Sequence, residues 1–248
     1  MHNCMETILF LTACINPDGM TNTAIQNVNI RKKQYYDALN FYIHNTNYRI
    51  VFMDNSGYDI SKDFSDLVNS GRLEIITIDN NSFPKKLGKG YGEGLIIKYG
   101  IFHSKFIDSS SIIIKISGRH IVTNINQIYY LTRIAYRSKS FVCCDINTKS
   151  QSIVSDCFIA TYDFFSLFST KYLTLIDESK NVWIEHALYK ATMDFCENNE
   201  FVFLPLPLNQ KGYSGSTGEQ FSRPRMLRYL KHIIKYILYY LGIIKLSH

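Results

Sequence analysis

Residues 8–15, ILFLTACI, form an apolar run ended by Pro17-Asp18-Gly19, which reads as a buried strand followed by a turn. Residues 29–44 carry Tyr35, Leu39 and Tyr42 at helical spacing, with Arg31, Lys32 and Lys33 near the start, and predict a helix. A second strand, YRIVFMDNSG (48–57), stops at a turn signal, and LEIITID (73–79) is a third. Residues 85–104 open as a glycine-rich loop and turn into a helix through Leu95, Ile96 and Phe102, and SIIIKIS (111–117) is a fourth strand. Alternating buried strands and helices argue an α/β fold: a mostly parallel, Rossmann-like sheet with helices on both faces.

The second half is less regular. Strands are predicted over 140–146 and 152–162, with a hairpin across Asn147-Thr148-Lys149. Helices are predicted over 164–176 and 182–199, the latter with Trp183, Ala187, Ala191 and Phe195 on one side. The prolines of FVFLPLPLN push a last strand to a sheet edge. The spacing thus divides the chain into a body over 1–209, a flexible loop over 210–222 and a tail over 223–248.

In the tail, Arg228, Lys231, His232 and Lys235 gather on one side of a helical wheel, and Leu227, Leu230, Ile234, Ile237, Leu238 and Leu241 on the other. Charge sharpens this picture. The 248-residue chain has 27 Lys and Arg against 21 Asp and Glu; six of the basic residues and none of the acids fall in 223–248, which leaves the body at 21 against 21. A neutral body argues against a nucleic-acid partner. A basic amphipathic helix edged by Tyr229, Tyr236, Tyr239 and Tyr240 suits an anionic membrane surface, with Arg225, Arg228, Lys231 and Lys235 toward the headgroups; the other reading packs it on its own domain or on a partner subunit. No signal peptide and no apolar run of about 20 residues is seen, so the expected place is cytoplasmic, peripheral at the inner face of the membrane. Six cysteines show no zinc-type spacing, and Cys14, Cys143 and Cys157 read as small core residues.

Ligands of such sheets bind at the carboxyl ends of the strands, where Asn16, Asp54, Asp79 and Gly118-Arg119 fall. Gly88-Lys89-Gly90 opens a glycine-rich stretch ahead of a helix; it lets the backbone approach a phosphate, or it is a plain loop-to-helix junction. Lys115, inside an isoleucine strand, demands an anion. With Gly118 and Arg119 it could hold a diphosphate, or it is paired with one of the body's own acids. Glu185 and His186 project about 100° apart on a helix, so Glu185 alone is read as a general base, or as an exposed helix acid.

The order ILFLTACIN, MDNSG, GKGYGEG, KISGR, WIEH resembles bacterial glycosyltransferases of the GT-A type that build lipopolysaccharide or capsule, over roughly residues 7–209. The resemblance implies a nucleotide-sugar donor and a lipid-linked saccharide acceptor, Asp54 at the donor base and Glu185 as the base of an inverting reaction. One departure stands out. The Asp-x-Asp that commonly holds a divalent metal in this family is absent; Ile116-Ser117-Gly118 occupies its place. The resemblance therefore implies metal-free transfer with Lys115 and Arg119 supplying the charge, or a metal on another acid such as Asp145. The rival readings are a sugar nucleotidyltransferase and a non-catalytic GT-A-like domain acting in assembly.

Overall fold

The computed structural model describes residues 5–79, 83–214, 217–221 and 226–242, excluding the side chains of Leu227 and Arg228. Its strands are β1 (Thr7–Ala13), β2 (Arg49–Asp54), β3 (Leu73–Thr77), β4 (Ile112–Ser117), β5 (Ile121–Val122), β6 (Phe141–Cys144), β7 (Ile146–Asn147), β8 (Ser152–Ile153), β9 (Cys157–Thr161), β10 (Glu200–Phe203) and β11 (Gln210–Lys211). Its α-helices are α1 (Val28–Asn45), α2 (Ser65–Asn69), α3 (Gly88–His103), α4 (Ile125–Ala135), α5 (Tyr162–Leu167), α6 (Ile184–Phe195) and α7 (Met226–Tyr240). Among the described residues seven strands form one sheet in the order β10-β6-β9-β4-β1-β2-β3.

The apolar runs of β1, β2 and β4 run parallel, with Leu9 beside Ile50 and Ile114. Both faces of these strands are covered, which is why they lack the alternation of a half-exposed strand. On one face Ile8, Phe10, Met53 and Phe158 pack with α3, α5 and α6; on the other Leu9, Leu11, Phe52 and Ile114 pack with α1 and α4. Tyr35, Leu39 and Tyr42 bury the expected face of α1, and β10 is the predicted edge strand.

Three elements differ from the sequence reading. The predicted strand over 152–162 divides: β8 pairs with β7 in a short hairpin, while β9 enters the main sheet antiparallel to both β4 and β6. Its amino end therefore lies at the same edge as the carboxyl ends of β1, β2 and β4. The glycine-rich stretch is helical from Gly88 onward, with Gly88, Gly90, Gly92 and Gly94 all buried. Segment 210–221, read from composition as a loop, supplies β11, which pairs with β5, and its Phe221 N–H donates to the Gly212 carbonyl at 2.9 Å.

Candidate functional site

A cavity of about 340 Å³ opens where these ends converge. Ala13 ends β1 and Cys14 follows it, Asn55 follows β2, and Ser117 ends β4 with Gly118 and Arg119 after it. Ser155 and Asp156 precede β9, the first two turns of α3 bring Lys89, Gly90 and Glu93, and the first turn of α6 brings Glu185. Phe83, Trp183 and Phe221 add aromatic walls. At Gly118 the end of β4 closes on β1: its N–H donates to the Thr12 carbonyl at 2.8 Å, and a Cβ there would sit 2.8 Å from that oxygen.

Arg119 is buried against this cavity. Its guanidinium reaches the Gln34 amide oxygen at 3.4 Å and makes no ion pair among the described residues. Burial weakens its hold on the proton, an effect that Tyr35, Asp156 and Glu93 oppose; an arginine nevertheless stays charged. Arg31, on α1, lies on the same side, but its Nε donates to the Cys14 carbonyl at 2.9 Å and so ties α1 to the end of β1. The acids line the other parts of the wall. Glu185 accepts from Ser155 Oγ at 2.7 Å. Its neighbour His186 turns back, its Nδ1 accepting from the Trp183 N–H at 3.3 Å. Asp156 accepts from Gln210 Nε2 at 3.2 Å and lies 3.4 Å from His120 Nδ1. Burial opposes its ionisation, yet His120, Gln210 and Lys115 outweigh burial and hold its pKa below the usual carboxylate range.

Lys89, Gly90, Gly118, Arg119 and Glu185 are thus brought together on one cavity, while other expected positions take internal roles. Lys115 is fully buried and lies outside the cavity lining. Its ammonium is ion-paired with Glu93 and donates to the Ser155 carbonyl at 2.7 Å. Burial would raise the Glu93 pKa, but Lys115 more than offsets it, leaving Glu93 below its usual range. The anion that Lys115 demands is therefore the protein's own Glu93, in place of the expected phosphate.

Asp54 is likewise buried. It accepts from the backbone N–H of Ile15 (2.8 Å), Ser56 (2.7 Å) and Tyr58 (3.2 Å), tying the loops after β1 and β2 together rather than facing a donor base. Burial leads, and its pKa is raised. Asn16 is exposed and accepts from the Asp18 N–H at 3.2 Å instead of lining the cavity.

At the start of α3 the place expected for a phosphate holds Glu178. Its Oε1 accepts from the Gly90 N–H at 2.8 Å and its Oε2 from Asn22 Nδ2 at 2.8 Å. Gly88 admits this carboxylate: its φ is +84°, and a Cβ would sit 2.0 Å from Glu178 Cδ. Asp145 is outside the cavity lining, bound to Lys235 Nζ at 2.8 Å. Of the basic residues assigned to lipid headgroups, Arg225 and the side chain of Arg228 lie outside the described residues, Lys231 is exposed, and Lys235 faces inward onto Asp145.

Sequence reasoning missed Glu93, Asp156, Glu178 and the Arg31–Tyr35 pair. Arg31 left a trace: it stands four residues before Tyr35, on the apolar face of α1. The acids left none, because their partners are distant in the chain.

Searches of known proteins add fold evidence. No family model matches the chain, and no curated protein matches its sequence. Among solved structures, a mannosyltransferase from Pyrobaculum calidifontis, in complex with GDP-Man and Mn2+, is 5% identical, with a TM-score of 0.50 over 97% of this chain and 65% of that one. The fold is GT-A-like. A cytidylyltransferase from Leptospira borgpetersenii (11% identical, 99% of both chains, TM-score 0.43) and mouse xyloside xylosyltransferase 1 (9%, 81% of this chain and 84% of that one, TM-score 0.42) also match. Divalent metals accompany many GT-A folds, and the donor set here does not fit one. Glu93 is committed to Lys115, Asp156 to His120 and Gln210, and Glu178 to Gly90 and Asn22. Among the described residues no group of three metal-ligating side chains forms.

Proposed function

We propose that this cavity binds a nucleotide-diphospho-sugar and transfers its sugar, with inversion, to a hydroxyl of a lipid-linked saccharide, a step of surface-polysaccharide assembly at the inner face of an anionic membrane. The observation that carries the reading is Arg119: a buried guanidinium on a cavity wall that makes no ion pair among the described residues, with Asp156 and Glu93 acting on it only at longer range. A charge so placed is stabilised by an incoming anion, and guanidinium geometry favours phosphate oxygens. Arg119, with Lys89 lining the same cavity, would bind the diphosphate and offset the charge that grows on it as the glycosidic bond breaks.

Glu185 would take the proton of the attacking hydroxyl, with Ser155 fixing one carboxylate oxygen. The new bond forms between that hydroxyl oxygen and the sugar's anomeric carbon, and the nucleoside diphosphate leaves with the bonding pair. Trp183 and Phe83 offer ring faces against which a sugar packs.

Titration calorimetry with a panel of nucleotide-sugars tests the donor site. Arg119→Ala is expected to weaken donor binding about 10- to 100-fold, the range of a charge-assisted hydrogen bond; equal affinity in the variant defeats the assignment. Glu185→Gln is expected to lower kcat at least 100-fold with donor affinity nearly unchanged, and wild-type turnover removes it as the base. Pyrophosphate released from a nucleoside triphosphate and a sugar 1-phosphate would point to the nucleotidyltransferase rival, and binding of no nucleotide-sugar to the non-catalytic one.

A further inference from the structure

Helix α7 is mounted opposite to the usual sense, in which an amphipathic helix buries its apolar stripe on the domain. The side facing the body is polar and aromatic. His232 is buried, its Nε2 2.8 Å from the Leu204 carbonyl and its Nδ1 3.7 Å from Asp145 Oδ2. Lys235 donates to Asp145 Oδ1 at 2.8 Å and lies over the Phe203 ring, and the Tyr239 hydroxyl donates to the Phe201 carbonyl at 3.4 Å. Burial works against the Asp145 charge, but His232 and Lys235 overcome it and keep its pKa low. The side facing away is a ridge of Leu230, Ile234, Ile237 and Leu241, each between 46% and 67% exposed, with Met226 at 79%. Tyr229 and Tyr240 are also exposed, and Lys231 stands in solvent next to the ridge.

We infer that this ridge inserts into the surface of an anionic bilayer, while the basic residues on the opposite side, Lys235 and His232, clamp the helix to the catalytic body. The inference rests on the reading above, in which the acceptor is lipid-linked, and names the surface that brings the cavity to it. Leucine and isoleucine at i, i+4, i+7 and i+11 suit the acyl boundary, with tyrosines at the headgroup level. Charge decides between occupants. From residue 220 onward the chain has six Lys and Arg and no Asp or Glu, so two copies paired along this segment would oppose like charges, whereas anionic headgroups complement it. The clamp also fixes the attitude of the body, so the anchor acts as a rigid mount rather than a tether.

Vesicle co-flotation of the full chain tests this, with phosphatidylcholine alone and with 30% phosphatidylglycerol. Wild type is expected to float with the anionic vesicles. The Ile234→Ser/Ile237→Ser variant should lose at least tenfold in partitioning, with its melting temperature and nucleotide-sugar affinity unchanged, because both side chains are exposed. Lys231→Ala should lose two- to threefold on anionic vesicles only, and Lys235→Ala should not weaken lipid binding. Wild type left unbound, or the double serine variant floating like wild type, overturns the inference. So does a concentration-dependent dimer that the double variant abolishes while vesicles go unbound; the ridge would then seat a second copy. Donor affinity, measured on the same samples, separates these failures from failure of the proposed reaction.

Discussion

Replacing Lys115 with methionine would leave the Glu93 carboxylate with hydroxyl donors alone, Thr12 Oγ1 at 3.1 Å and Ser117 Oγ at 3.3 Å. Removing one partner of a buried ion pair costs about 3–5 kcal/mol, whereas replacing both with apolar groups is often near neutral. Lys115→Met is therefore expected to lower stability by about 3 kcal/mol in urea unfolding, and Lys115→Met/Glu93→Leu to recover most of it. A lysine that served donor phosphates would behave in the opposite way: donor affinity would fall, stability would hold, and the second substitution would rescue nothing. The sequence shows why the question arose and why it could not be closed there. One lysine among isoleucines signals a required anion, but Glu93 lies 22 residues earlier, on a helix whose rotation only packing sets. Arg119 was marked only by its place at the carboxyl end of a strand, a weaker sign, since an arginine there is common in loops. What makes it a candidate is burial on a cavity wall without an ion pair among the described residues, which is a property of the fold.

At the scale of elements, the start of α3 shows propensity losing to packing. Glycine is a poor helix former, by about 1 kcal/mol relative to alanine, so GKGYGEG reads as a loop. Here the missing side chains admit neighbours: a Cβ at Gly94 would meet Leu173 Cδ1 at 2.3 Å, and one at Gly88 would overlap Glu178. Gly71 provides the comparison. Its φ of +72° resembles that of Gly88, but nothing lies within 4 Å of its would-be Cβ. Gly71→Ala is thus expected to cost about 1 kcal/mol, from backbone conformation alone. Gly88→Ala should cost at least about 2 kcal/mol more, because Glu178 must leave the Gly90 N–H and because Gly88, at φ +84° and ψ 174°, holds a backbone shape that only glycine adopts readily; chemical denaturation of the two variants reads the combined difference. The strands of the first half were legible because a run covered on both faces is continuously apolar whatever its partners. The place of β9 was not. Its sequence is equally apolar, and only the chain's path decides that it enters between β4 and β6, antiparallel, with Ser155 and Asp156 at the cavity. α7 was legible as an amphipathic helix, but its mounting was not, because the wheel separates two faces without saying which meets the body.

For the whole molecule, acid stability follows from carboxylates in three separate places. Glu93 and Asp156 on the cavity lining and Asp145 beneath α7 all have pKa values lowered in the folded state by basic neighbours that outweigh burial. A lowered folded pKa binds fewer protons than the unfolded chain, so each group contributes stability that is complete above the unfolded carboxylate values of about 4 and is lost as pH falls through its folded value. Asp54 works in reverse: its raised pKa makes its charge a cost at neutral pH, relieved on acidification. Among these four carboxylates, three against one predicts a stability that is nearly flat from pH 7 to 5 and declines below about pH 4, and Asp108, Asp177 and Asp194, also held low by their partners, act in the same direction. Each proton taken up on unfolding contributes about 1.4 kcal/mol per pH unit to the slope. The groups are separable by substitution. Lys115→Met/Glu93→Leu should shallow the acid limb by up to one proton without disturbing α7. Asp145→Asn should shallow it by a similar amount while loosening the clamp of Lys235 and His232. Urea midpoints at half-unit steps from pH 5 to 2.5 measure both slopes. If Asp145→Asn leaves the limb unchanged, the clamp carries no net charge stabilisation, and α7 is held by its uncharged contacts, the packing of Tyr236 and Tyr239 on Phe203 and the approach of His232 to the Leu204 carbonyl among them.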